Sequence, residues 1–82
     1  MTAAKYQELI KKALYQVAPD IEGLDIEPDV TFRDQFEIDS MDNLNFIIAL
    51  SKATNLDIPE ADYSQLQTFS GCQRYLAARL GV

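Results

Sequence analysis

The chain has no histidine, and it has a single cysteine, three glycines and three prolines in 82 residues. Without histidine it lacks the commonest general base and the commonest metal ligand, and with them every Ser-His or Cys-His nucleophile pair. One cysteine excludes an internal disulfide. Three scattered glycines leave no Gly-rich phosphate loop, and the acids of residues 20–29 do not fall at the alternating positions of a calcium loop with its closing Glu. Positive charge is scarce as well, with 7 Lys and Arg against 13 Asp and Glu and a net charge of −6. That balance opposes the phosphate neutralisation on which nucleic-acid binding depends and favours basic protein partners. No apolar run approaches the ~20 residues of a membrane span or resembles a signal peptide, so a cytoplasmic location is expected. A chain of this size buries little more than ~60% of its unfolded surface, which suits one domain over residues 1–82 and leaves little room for a deep catalytic cleft. The expectation is a protein that is not an enzyme.

Helical patterning dominates what is present. Over Ala3–Val17 the residues Tyr6, Leu9, Ile10, Ala13, Leu14 and Val17 recur at i, i+3, i+4, i+7 spacing, with Lys5, Glu8, Lys11 and Lys12 on the opposite face. Thr2 is the expected cap and Pro19 the stop. Residues 18–39 carry Gly23, Pro28 and many acids, but also Ile21, Leu24, Ile26, Val30, Phe32, Phe36 and Ile38. So many apolar side chains predict an ordered loop pinned across the helices, with a turn of helix at residues 31–35. A second helix is expected at residues 40–55. Its apolar positions Met41, Leu44, Phe46, Ile47, Ile48, Ala49 and Leu50 exceed one narrow stripe and predict cover on more than one face. After an extended link, Pro59 starts a short helix over Glu60–Leu66. The last helix is capped by Thr68 or Ser70, runs to residue 80 with Phe69, Cys72, Leu76 and Leu80 inward, and ends at Gly81. No strand pattern competes. The fold class is all-α: three main helices, one short helix and a long ordered loop.

The stretch Glu37-Ile38-Asp39-Ser40-Met41-Asp42-Asn43 sets a serine between two aspartates where the acidic loop meets the longest apolar segment. Helix capping alone accounts for these residue types, with either Asp39 or Ser40 as the cap. If Asp39 caps, Asp42 adds favourable charge to the first turn and the Ser40 hydroxyl is left free.

Asp39-Ser40-Met41 resembles the Asp-Ser-Leu signature of acyl carrier proteins, in which the serine carries a 4′-phosphopantetheine arm. The resemblance continues in register through Asp42, Ala49-Leu50, Ile58-Pro59 with the acids Glu60 and Asp62, and Thr68, and it takes in the first helix and the long loop. It implies a four-helix carrier bundle with a covalent arm on Ser40, flanked by Asp39 and Met41. It also implies partner recognition through Asp39, Met41, Asp42, Glu60 and Asp62. The arm would come from coenzyme A through a phosphopantetheinyl transferase. Other partners would be acyl-loading and acyl-transferring enzymes with basic docking patches, met by a monomer that binds no nucleic acid and inserts in no membrane. Phe46, Ile47, Leu50, Tyr63 and Leu66 resemble the positions around the acyl chain, and ordinary core packing accounts for them equally well. An aminoacyl or peptidyl carrier shares the same features, and an unmodified acidic helical interaction module is the rival from another class.

Three departures stand out. Glu37 replaces a glycine common in the family, and Met41 replaces leucine with little change of volume. Asn45, Ser51 and Lys52 occupy positions where fatty-acid carriers bear acids. Such charges govern encounter and partner choice, so a dedicated lipid, fatty-acid-derived or polyketide-type pathway is expected. Cys72 lies on the inward stripe of the last helix and is read as core.

Overall fold

The computed structural model describes residues 3–80, and the expected cap at Thr2 and helix end at Gly81 lie outside them. Four α-helices are described: α1 (Ala3–Val17), α2 (Phe32–Phe36), α3 (Ser40–Thr54) and α4 (Phe69–Leu80), with 3₁₀ segments at Pro19–Ile21 and Glu60–Leu66. No strand occurs among the described residues. The bundle is all-α, as the sequence leads one to expect.

In α1 the stripe Tyr6, Ile10, Ala13 and Leu14 is buried, while Lys5, Glu8, Lys11 and Lys12 are exposed. This helix packs against both α3 and α4. Pro19 ends it by opening a 3₁₀ turn that drops Ile21 into the core.

The long loop is ordered and pinned, although not by every apolar residue it contains. Phe32 and Ile38 are buried, and Ile26 and Phe36 are partly buried against the core, but Leu24 and Val30 remain exposed. Gln35 folds the loop on itself. Its Oε1 accepts from the Glu27 amide at 2.9 Å, and its Nε2 donates to the carbonyls of Glu27 and Val30, each at 2.8 Å. Two backbone bonds then stitch the loop to the start of α4: the Phe32 amide donates to the Gln67 carbonyl and the Ser70 amide to the Pro28 carbonyl, both at 2.9 Å. The Ser70 hydroxyl adds a bond to Asp29 Oδ1 at 2.8 Å, so Thr68 serves as the cap of α4, accepting from the Gly71 amide at 3.0 Å. The expected turn of helix appears one residue later, as α2, because Thr31 is its cap and not its first residue.

Helix α3 departs from expectation. Phe46, Ile47 and Leu50 are buried, but Met41, Leu44 and Ile48 are 73%, 43% and 42% exposed, so its apolar residues are not covered on more than one face. The partners explain this. Helix α1 packs along α3, and Phe32 of α2 meets Phe46 edge-on with ring centroids 5.3 Å apart. Nothing described lies over the opposite strip.

The Glu60–Leu66 segment takes 3₁₀ geometry over seven residues, long for that conformation. Gly71 marks its close contact with α4: a β-carbon there would collide with the Gln65 carbonyl and sit 2.9 Å from Thr68 Oγ1. Farther along, Asp62 Oδ2 accepts from Tyr75 Oη at 2.7 Å and pairs with Arg79 at 2.6 Å.

Candidate functional site

The choice between Asp39 and Ser40 as the α3 cap is decided by geometry. Asp39 adopts extended backbone, and its Oδ1 accepts from the Asp42 amide at 2.9 Å while its carbonyl accepts from the Asn43 amide at 2.9 Å. These bonds satisfy part of the free donor set of the helix start. Ser40 therefore stands at the first helical position, exposed, with its hydroxyl in no hydrogen bond among the described residues. Asp42 adds negative charge to the same turn.

The approach to Ser40 is set by α2 and its exit. Glu37, which ends α2, holds left-handed backbone at φ 56°, and the chain then turns through buried Ile38 into Asp39. That geometry is the kind glycine adopts freely, which gives a physical meaning to the glycine common here in the family the sequence resembles.

Two clefts open at the serine. One, about 220 Å³, is lined by Thr31, Arg33, Ile38, Asp39, Ser40, Asn43 and Gln67. The other, about 480 Å³, is lined by Arg33, Asp34, Glu37, Ile38, Asp39 and Ser40. Arg33, Asn43 and Gln67 were not singled out by pattern. Arg33 could have been, since it is the sole cation of residues 18–39.

The other residues of interest divide by location. Asp39, Ser40, Met41 and Asp42 gather at the head of α3, and Met41 begins an exposed apolar strip that continues through Leu44 and Ile48. Beside the strip lies a shallow hollow of about 440 Å³ lined by Gln16, Val17, Asp42, Asn45, Ile48, Ala49 and Lys52. Glu60 is exposed on its own segment, whereas Asp62 is held within the molecule by Tyr75 and Arg79. Phe46, Ile47, Leu50 and Leu66 are almost wholly buried in one cluster, with Tyr63 partly buried at its edge. Cys72 is fully buried, and burial pushes its thiol pKa up to about 12, which makes it a poor nucleophile near neutrality.

Among the described residues no cluster of His, Cys, Asp and Glu is arranged to hold a metal ion, and no helix is long and apolar enough to cross a membrane. What the site offers is one exposed hydroxyl at the positive end of a helix, an environment that favours an attached anion by ~0.3 to 1 kcal/mol. A family model described as a phosphopantetheine attachment site matches residues 8–76.

Proposed function

Since this chain belongs to the phosphopantetheine-attachment family and its cofactor is 4′-phosphopantetheine, we propose that it is a discrete acyl carrier protein with the arm on Ser40. The observation that carries the assignment is the exposed Ser40 hydroxyl, left unengaged because Asp39 takes the capping role. Arm transfer forms a bond from Ser40 Oγ to phosphorus and breaks the pyrophosphate bond of coenzyme A, with adenosine 3′,5′-bisphosphate leaving and the serine proton passing to the transferase. The arm then supplies a thiol that holds cargo as a thioester, and the partner enzymes perform the bond-making. The chain's own residues position and present the arm.

Partner enzymes meet the head of α3 in this reading. Asp39 and Asp42 offer charge to a basic patch, and Met41, Leu44 and Ile48 offer apolar contact beside it. Exposed Glu60 extends the acidic rim, while Asp62 acts by holding Glu60–Leu66 against α4. The strip is less acidic than a general fatty-acid carrier needs, since Asn45 and Lys52 line its hollow. A dedicated lipid, fatty-acid-derived or polyketide-type pathway follows, served by a monomer in the cytoplasm with coenzyme A and the transferase. An apolar cargo turning inward would meet Phe46, Ile47, Leu50, Leu66 and Tyr63.

Incubation with coenzyme A and a broad-specificity transferase is expected to add one phosphopantetheine to the intact mass, and none to Ser40→Ala. Because Ser40 is not the cap, the variant should keep its helical circular dichroism. Arm mass retained in Ser40→Ala, on Ser51, Ser64 or Ser70, would refute the site, and no arm on either protein would favour the unmodified interaction module.

A further inference from the structure

Residues 18–39 hold eight carboxylates and one cation, Arg33, and that cation borders both clefts at Ser40. It is exposed, and among the described residues it pairs with no carboxylate despite the acids around it. An arginine in that position is open to an anion brought to the site, and its planar fork matches phosphate oxygens. The two clefts share Arg33, Ile38, Asp39 and Ser40 and differ in what else they present. The smaller adds Thr31, Asn43 and Gln67, neutral groups of which the two side-chain amides have no internal hydrogen bond. The larger adds the carboxylates of Asp34 and Glu37. A phosphodiester on Ser40 is an anion, and the chain beyond it carries amide groups that seek neutral donors and acceptors. Charge repulsion turns it from the larger cleft, and the donor set of the smaller one fits it.

We infer that Arg33 is a positioning residue for the arm: it holds the phosphodiester, and with Asn43 and Gln67 it directs the arm from Ser40 into the smaller cleft. The inference rests on Ser40 as the attachment point and adds a direction to it. Arg33 thereby sets where the cargo-bearing thiol is presented before a partner arrives.

The test compares apo and holo protein, wild type and Arg33→Gln, by nitrogen-resolved NMR after intact mass has verified one arm on Ser40. A spin label on the arm thiol supplies a second readout, since buried Cys72 does not compete for the reagent. In the wild type, arm attachment should shift the side-chain amides of Asn43 and Gln67 and the backbone of Thr31 more than Asp34 or Glu37. The label should broaden that same side. In Arg33→Gln the bias should be lost, and Arg33→Lys should keep part of it. Because the Arg33 side chain bonds to nothing internal, the apo spectra should show an unchanged fold. Equal perturbation of both clefts in the wild type, or an unchanged pattern in Arg33→Gln, would overturn the cradle while leaving the attachment site standing. A mass showing no arm on Ser40 would overturn both.

Discussion

Glu37 shows how one residue can carry a structural decision. It sits at φ 56° between α2 and the buried Ile38, in a region where a side chain with a β-carbon is crowded by roughly 1 to 2 kcal/mol. Glycine has no such crowding but gives back part of the gain through the freedom it adds to the unfolded chain, roughly 0.5 to 1 kcal/mol. Glu37→Gly should therefore raise stability by up to ~1 kcal/mol, read as a higher urea midpoint with an unchanged slope. A lower midpoint would mean that the glutamate side chain contributes more than its backbone strain removes. The capping choice one turn away has a similar character. From residue types alone Asp39 and Ser40 are equivalent caps, and the extended backbone of Asp39 with its bonds from the Asp42 and Asn43 amides separates them. Sequence leaves that difference open because the two choices differ by a single residue of register.

Among the elements, α1 was legible because its apolar residues follow one helical stripe and its lysines the other face. The faces of α3 were not. Ile47 and Ile48 are chemically identical neighbours, yet one is 1% exposed and the other 42%. The choice was made by Phe32, arriving from the loop to meet Phe46, and by α1, and no local pattern announces either. The two isoleucines should therefore part company under the same change. Ile47→Asp puts an unpaired carboxylate into a dry core and should abolish cooperative folding or cut stability by several kcal/mol. Ile48→Asp should leave the melting temperature nearly unchanged, because its carboxylate stays in water. Comparable melting temperatures for the two variants would show that the assigned inner face is wrong. The stitches of the loop were illegible for another reason: the carbonyls of Pro28 and Gln67 that anchor it are backbone atoms, which every residue possesses.

At the scale of the molecule, Cys72 and Tyr75 both contribute to the response to alkali. Burial raises the Cys72 pKa from 9.0 to about 12, and burial raises that of Tyr75, with help from the hydrogen bond it gives Asp62 and against the opposing charge of Arg79. Both groups keep protons in the folded state that the unfolded chain releases, so the stability they confer is complete below about pH 9 and declines as pH climbs toward 12. Urea midpoints should fall across that window, and Cys72→Ala should give a lower but flatter curve. An equally steep decline in Cys72→Ala would place the alkaline response elsewhere. The stitches at Phe32–Gln67 and Pro28–Ser70 matter on a different clock, that of synthesis. Ser40 emerges from the ribosome well before Gln67 and Ser70, and until those residues follow, the acidic loop lacks both backbone bonds to the start of α4 and α2 is held beside the serine only by packing such as that of Phe32 on Phe46. A nascent chain halted after α3 would thus display Ser40 without its surroundings. Modification is expected to wait for translation to pass α4: stalled chains ending before Gln67 should take up no arm, while stalled chains with α4 fully extruded should.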